Sequence, residues 1–379
     1  MTTPTKLTAR ALAAIDSRTP TLADHLWRGI LTAAAAGYRV GVTARRWSFD
    51  AGIRGARRLA VPVVCVGNLT VGGTGKTPAT IAMVQRLKGQ GLAVGVLLRG
   101  YGREGGAVGV AADLHGHIAP WPQVGDEAAL LAERLPRVPV VVGADRFRAG
   151  REALRRFPLD VLVLDDGFQH RQLHRDLDLV MVDATDPLGG GHLLPRGRLR
   201  EPPSALRSAG ALLLSRSDQA KDPADIRRTL LRLAPGVPHI LTRHRPARLT
   251  DLEGPGIHAP SLVRGRRTFL VSGIARPAAF HATMTALGAT LAGTLPFPDH
   301  HPYSRADLER IIREAEAARA EWIVTTEKDA VRLREVAAAL PGRYPFLVLG
   351  VDLEVTEGEA ILDALLRRCV GDRGAERSP

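Results

Sequence analysis

The sequence predicts an α/β protein: a parallel sheet with helices on both faces, plus a smaller second α/β domain. Three observations carry that prediction. Short apolar runs alternate with amphipathic segments of helical length from Val61 onward. The runs are continuous, as expected of strands covered on both faces. The chain has 379 residues, which suits about two domains at roughly 150 residues each.

The elements follow in order. Leu22 to about Arg58 reads as helical, because Leu22, Leu26, Ile30, Ala34 and Tyr38 recur every four residues, with Trp27, Leu31 and Ala35 beside them. Arg39, Arg45, Arg46, Arg54, Arg57 and Arg58 follow. Two readings stay open. The segment is an anchor lying on an anionic membrane with Trp27 and Trp47 at the headgroup boundary, or a core-packed helix with a solvated basic end. Val61–Val66 is the first strand, followed by a Gly-rich turn and a helix over Lys76–Lys88. Ala93–Leu98, Pro139–Val142 and Val161–Leu164 are further strands, with a helix at Arg146–Arg156. Leu177–Val182 and Ala211–Leu214 continue the series. Asp186–Ser204 is too rich in Gly, Pro and Arg for a regular element and reads as a functional or mobile loop. A second series begins near Thr268 with FLVSGI, a helix near Pro277–Leu287, and TLPFPDHHPYS. A helix over Ser304–Arg319, WIVTTEKDA and FLVLGVDLEV complete it. The polar, turn-rich stretch at 240–265 is the expected boundary. It divides the chain into a helical segment (1–60), a first domain (61–245) and a second (246–379). The end, RRCVGDRGAERSP, reads as a frayed tail.

Composition bounds the partners. There are 52 Lys+Arg against 39 Asp+Glu, a formal net charge of +13. That balance favours nucleic acid, acidic lipid surfaces or phosphorylated substrates. Aromatics at 4% weaken the case for a reader of single strands by base stacking. Two cysteines, Cys65 and Cys369, build neither a disulfide framework nor a four-thiolate zinc site, and point to a reducing compartment. The start, MTTPTKLTAR, lacks the apolar core of a secretory leader. The most apolar early stretch, Leu26–Val42, is broken by Arg28 and Arg39. It falls short of the ~18 residues a spanning helix needs.

The strongest motif is VGNLTVGGTGKTP, Val66–Pro78, which follows a strand and opens a helix. Thr70, Val71, Gly72, Gly73, Thr74, Gly75, Lys76 and Thr77 form a candidate phosphate-binding loop, so the sheet is P-loop NTPase-like. Glycines let successive N–H groups point inward at phosphate oxygens, and the helix N-terminus adds its dipole. Lys76 neutralises phosphate charge, and the Thr77 hydroxyl suits Mg²⁺. Thr70 stands where the usual first glycine is found. In VLVLDDGFQH, an apolar run ends in Asp165 and Asp166 at the carboxyl edge of a strand, where a metal-binding carboxylate belongs. Which of the two contacts the metal is open. In VGDEAAL, Asp126 reads as a helix cap and Glu127 as a first-turn acid. The His300–His301 pair of PFPDHHPYS lacks the helical spacing and the Cys partner of a metal pair. Arg99 and Tyr101, Asp145 and Arg146, and Glu327 and Lys328 each suit a cap or a surface charge. Together these strand ends suggest one cleft above the sheet.

GNLTVGGTGKTP, RGYG, GDE, DR, DDGFQHRQLHRDLDLV, LREP, the PDHH loop and TEKDAV occur in that order from about Pro62 to about Leu333. In this they resemble the tetraacyldisaccharide 4′-kinases of lipid A synthesis. Thr70 matches that family's own loop, while Leu98 replaces the serine usual before RGYG. The resemblance implies transfer of the γ-phosphate of ATP, with Mg²⁺, to the 4′-hydroxyl of an acylated glucosamine disaccharide 1-phosphate. It implies a bacterial cytoplasmic enzyme, peripheral on the anionic cytoplasmic face of the inner membrane, with no nucleic acid and no obligate protein partner. Residue by residue, it implies Asp126 as the base, oriented by His300, with Lys76 beside the transferred phosphate. It implies Thr77, Asp165, Asp166 and Glu127 around the metal. Arg99, Arg146, Gln169, His170, Arg200 and Glu201 would hold the disaccharide and its 1-phosphate. A switch ATPase is the second class considered, but its loop carries a lysine where Val71 stands. A nucleic-acid binder is the third, and no helix-turn-helix, zinc or RNP-type motif supports it.

Overall fold

Helix α1 (Leu22–Asp50) opens the fold; the computed structural model describes residues 21–103, 106–338 and 345–371, so MTTPTKLTAR lies outside the described residues. A capping box fixes the start of α1. Thr21 Oγ1 accepts from the Asp24 N–H, and Asp24 Oδ2 accepts from the Thr21 N–H. The helix stops before the expected Arg58, because Gly52 takes φ 72° and turns the chain left-handed. The stripe it buries also differs from expectation. Leu31 and Ala35 are buried and Tyr38 is half-buried, whereas Leu26 and Ile30 face solvent.

Among the described residues, thirteen strands form one sheet. They are β1 (Val63–Asn68), β2 (Val94–Leu98), β3 (Gly109–Ala112), β4 (Val140–Val142), β5 (Val161–Asp165), β6 (Leu177–Asp183), β7 (Ala211–Ser215), β8 (His239–Asp251), β9 (Ile257–His258), β10 (Arg267–Ser272), β11 (Thr290–Pro296), β12 (Trp322–Thr326) and β13 (Phe346–Glu357). The order is β11-β10-β12-β13-β8-β7-β6-β1-β5-β2-β4-β3, with β9 on β8. The strands from β8 through β7, β6, β1, β5 and β2 to β4 pair in parallel, as do β11, β10, β12 and β13. The edge strand β3 is antiparallel to β4. Val64 and Val66 of β1 enter one core cluster with Met83 and Leu87, while Val63 and Cys65 enter another with Leu97 and Leu164. Both faces of β1 are thus covered, which is why its sequence is a continuous apolar run.

The two parallel halves meet at β8 and β13, an antiparallel pair running from Leu347↔Asp251 to Glu357↔Leu241. The stretch expected to be turn-rich is therefore a long strand over much of its length. Its arginines are tolerated because β13 answers them: Arg243 donates to Glu354 at 2.8 Å, and Arg245 lies 3.8 Å from Asp352. Cross-strand charge pairs of this kind register a polar ladder that hydropathy alone does not reveal.

The remaining helices, in order, are α2 (Lys76–Gly89), α3 (Trp121–Val124), α4 (Asp126–Arg134), α5 (Arg146–Arg156), α6 (Pro223–Leu233), α7 (Pro277–Ala286), α8 (Arg305–Ala317), α9 (Glu327–Ala337) and α10 (Glu359–Val370). Helix α10 corrects the frayed-tail reading for Arg367–Val370. Leu362 and Leu366, one turn apart, are fully buried and hold it to the sheet. The rest of that tail, beyond Gly371, lies outside the described residues. Among the described residues, no helix is long and apolar enough to cross a membrane.

Candidate active site

A cleft of about 970 Å³ opens over the carboxyl ends of the strands and is lined from both halves of the sheet. Its floor is the glycine loop between β1 and α2. Gly72 (φ 110°) and Gly75 (φ 89°) adopt the left-handed conformations that only glycine takes freely. An added Cβ on Gly75 would run into the His244 ring. The loop is braced from beneath: Asn68 Nδ2 donates to Thr70 O at 2.7 Å and to Thr74 Oγ1 at 2.9 Å. Ser215 Oγ donates to Thr74 O at 2.9 Å, and Arg216 Nη2 to Gly73 O at 3.0 Å. The irregular 186–204 stretch lies against the loop, with Val71 N donating to Arg198 O at 2.8 Å. Lys76 and Thr77 open α2 and face the cleft.

Asp165 ends β5 beside this floor, Asp166 follows it, and the two side chains diverge. Thr80 Oγ1 donates to Asp165 Oδ1 at 2.9 Å. Asp166 takes a positive φ of 49° and turns to Arg200, whose Nη1 lies 2.9 Å from both carboxylate oxygens, and to Lys76 Nζ at 3.6 Å. A left-handed non-glycine costs about 1–2 kcal/mol, so the turn is held by those cations. Burial pushes the Asp165 carboxyl up to about 7, and repulsion from Glu127 and Asp166 adds to it. Burial also opposes ionisation of Asp166, but Lys76 and Arg200 outweigh it and hold that carboxyl below the usual range.

A second cluster forms the facing wall. Asp126 is the first residue of α4, 4% exposed, and its Oδ1 accepts the Glu127 N–H at 2.9 Å. Gly125, not Asp126, occupies the cap position. His300 Nδ1 lies 2.8 Å from Asp126 Oδ2, across 174 residues of sequence. His300 Nε2 lies 3.0 Å from Lys328 Nζ, which also donates to Asp299 Oδ1 at 3.1 Å. Burial would raise the Asp126 carboxyl. The hydrogen bond from His300 and the nearby charges of Lys328 and Arg332 outweigh that and hold it below its ordinary value. The neighbouring His301 turns away, to Asp307 at 3.1 Å and the Phe297 ring at 4.7 Å.

The other wall is cationic. Arg99, Arg146, His170 and Arg200 line the cleft, joined by Tyr38 and Arg45 from α1. Arg146 is buried, and its Nε has no hydrogen-bond partner; neither has the buried His170 Nε2. Burial and the like charge of Arg99 lower Arg146 to about 10. Burial and the charge of Arg146 lower His170 to about 4. Gln169 also lines the cleft, with its Nε2 donating to Asn68 O at 2.8 Å. Glu201 is placed elsewhere. It is buried behind the cleft and pairs with Arg46 of α1, beside the Tyr38 hydroxyl that donates to Arg200 O at 2.9 Å. It pins the helix and does not line the cavity. The sequence reading missed Arg216, His244 and Arg276, which rim the glycine loop. Arg216 and Arg276 both pair with the buried Asp183 at the end of β6. For Arg216 the clue was its place directly after the run ALLLS.

A glycine loop between a buried strand and a helix, with a carboxylate pair at the end of the adjacent strand, defines a P-loop enzyme that handles phosphate. A model of the tetraacyldisaccharide-1-P 4′-kinase family matches residues 27–370. A tetraacyldisaccharide 4′-kinase of Anaeromyxobacter dehalogenans is 47% identical over 337 residues, covering 89% of each chain. One from Geobacter sulfurreducens is 36% identical, covering 91% of this chain and 95% of that one. Among solved structures, LpxK from Aquifex aeolicus, crystallised in complex with ATP, superposes with a TM-score of 0.75 at 30% identity over 91% of this chain and 99% of its own. This chain belongs to the tetraacyldisaccharide 4′-kinase family and is a kinase.

Proposed function

We propose that this chain transfers the γ-phosphate of ATP to the 4′-hydroxyl of a tetraacylated glucosamine disaccharide 1-phosphate, the step that forms lipid IVA in lipid A biosynthesis. One observation carries the proposal: a single cleft holds Lys76 and its glycine loop on the floor and His300, bonded to Asp126, on the wall. Phosphoryl transfer is mostly alignment and charge stabilisation. The loop N–H groups and Lys76 grip the triphosphate. Asp126, oriented by His300, receives the sugar hydroxyl proton. Arg99 and the unpartnered Arg146 Nε, with the neutral His170 Nε2 beside them, supply a partly desolvated cationic pocket that suits the 1-phosphate. In this arrangement the His300 loop already rests on Asp126, so no closure is needed to join them. The two lobes flex about the β8–β13 ribbon, and the expected boundary at 245/246 falls inside β8.

Mg²⁺ fits the donors on the floor. Thr77, Asp165 and Glu127 would hold it, with Asp166 engaged by Arg200 and Lys76. The raised Asp165 is the supporting observation, because a buried carboxylate repelled by two others is relieved by a divalent cation. Among the described residues no three His, Cys, Asp or Glu side chains form a ready cage. Mg²⁺ commonly takes only one or two carboxylates and completes its shell with phosphate and water. When bound, it neutralises charge developing on the phosphate oxygens.

The membrane reading is that the outer stripe of α1 lies on the anionic cytoplasmic face of the inner membrane. Leu26 (69% exposed), Ile30, Val40 and Trp47 (62% exposed) support it, while Tyr38, Arg45 and Arg46 hold the opposite side to the enzyme. Replacing Leu26 and Ile30 by Ser should weaken flotation with anionic vesicles and leave soluble-substrate turnover intact. Undiminished flotation would remove the helix from the membrane. The catalytic proposal is tested by incubating the protein with Mg-ATP and the disaccharide 1-phosphate and weighing the lipid. A gain of one phosphate is expected. ATP hydrolysis with an unchanged lipid would favour the switch ATPase.

A further inference from the structure

We infer that Lys328 is a positioning residue: it fixes His300 in the tautomer that donates to Asp126 during the transfer reaction proposed above, on which this inference rests. The argument needs only the hydrogen-bonding inventory of the groups involved. Asp126 offers acceptors to this ring: its Oδ1 takes the Glu127 N–H, and its Oδ2 lies 2.8 Å from His300 Nδ1 and 3.7 Å from Arg332 Nε. With Nε2 turned to Lys328, Nδ1 is left to carry the ring hydrogen to that oxygen. Lys328 Nζ, 3.0 Å from His300 Nε2, has donors and no acceptor. Nε2 therefore presents its lone pair, because a second ring proton would point at an ammonium group. One partner on each nitrogen leaves a single arrangement of the neutral ring.

The position of Lys328 supports a built role. It stands in the first turn of α9, whose cap is Thr326. A cation there opposes the helix dipole, so helix stability does not account for it. Asp299 Oδ1, 3.1 Å from Nζ, anchors it from the loop that carries His300. His300 itself takes φ 59°, a strained conformation that persists only where the surroundings over-determine it. The groups facing the ring are Asp126 from α4, Lys328 from α9, Asp299 beside it and the Tyr101 ring at 5.8 Å after β2; Arg332 reaches Asp126 from α9. Apart from the Arg332–Asp126 contact, Lys328 is the cation of this set within hydrogen-bond reach of the imidazole. Without it nothing bars a proton from Nε2 and the ring keeps only one of its two anchors, so Asp126 loses a fixed donor.

The test pairs kinetics with ¹⁵N spectra of histidine-labelled protein, the His300 signals being assigned by their loss in His300→Gln. Wild-type protein should show His300 protonated at Nδ1 alone. Lys328→Met should lower kcat roughly 10- to 100-fold, the scale of a misplaced catalytic group. It should leave KM for ATP within about twofold, and give Nε2-protonated or doubly protonated His300. Lys328→Arg should restore the Nδ1 pattern and most of kcat. A wild-type spectrum with the proton on Nε2 overturns the inference whatever the variants do. So does a Lys328→Met protein with unchanged kcat or an unchanged His300 pattern. If wild type instead fails to phosphorylate the lipid, the proposed function falls, and the spectrum still decides the tautomer.

Discussion

The floor of the cleft and its facing wall are built in opposite ways. The phosphate loop is a contiguous device: strand, glycine turn, lysine and helix lie within Val63–Gly89, braced by Asn68 from inside that stretch and by Arg198, Ser215 and Arg216 from outside it. The Asp126–His300–Lys328 cluster is an assembled one, drawn from α4, the loop after β11 and α9, and closed by side chains alone. A contiguous device should fail by losing its ligand. An assembled device should fail by losing chemistry while the ligand still binds.

The largest expected effect is at Lys76. Replacement by Ala should lower turnover roughly 10³-fold, as removal of a transition-state charge partner does. It should weaken nucleotide binding at the same time, as measured by calorimetric titration. Next comes Asp126→Asn, expected to lower kcat about 10²-fold, within the range for a general base, with ATP affinity held within a few-fold. If ATP affinity fell in proportion, the facing wall would belong to the nucleotide cradle and the contrast would break. Gly75→Ala is expected to cost about 1–3 kcal/mol of stability, read from the thermal midpoint. Its φ of 89° and the His244 ring both oppose a Cβ. A fully stable Gly75→Ala protein would mean that the loop relaxes freely.

The smallest effect sharpens the comparison through pH. The Asp165 carboxyl is pushed from 3.8 to about 7 in the folded protein. Between those values the folded state binds more protons than the unfolded chain, so this group's contribution to stability falls as pH rises. The penalty is complete above about 7. Asp165→Asn removes it. The variant's midpoint, without Mg²⁺, should exceed that of wild type by about 2–4 °C at pH 8, on the scale of ~1 kcal/mol. The gap should shrink towards pH 5, and Mg²⁺ should narrow it at pH 8 by stabilising wild type alone. A pH-independent gap would place the strain elsewhere.

The parallel strands were legible because burial on both faces leaves apolar runs, and the loop was legible because glycine, lysine and threonine stand at fixed offsets. Strand β8 was not, since RHRPAR reads as a polar link until Asp352 and Glu354 lie opposite it. Glu201 was expected in the cleft because LREP is a motif. It sits behind it because Arg46, far away in sequence, claims its carboxylate.

By itself, then, the sequence determined what bond geometry constrains over a few residues: where a strand ends, where a glycine must turn, and which acids stand at a strand's edge. Only the tertiary structure decided that Lys328 reaches His300, that Glu201 turns to Arg46, and which stripe of α1 is left bare. Those outcomes depend on how packed elements bring distant side chains within 3 Å or so of each other, and no local pattern encodes that distance.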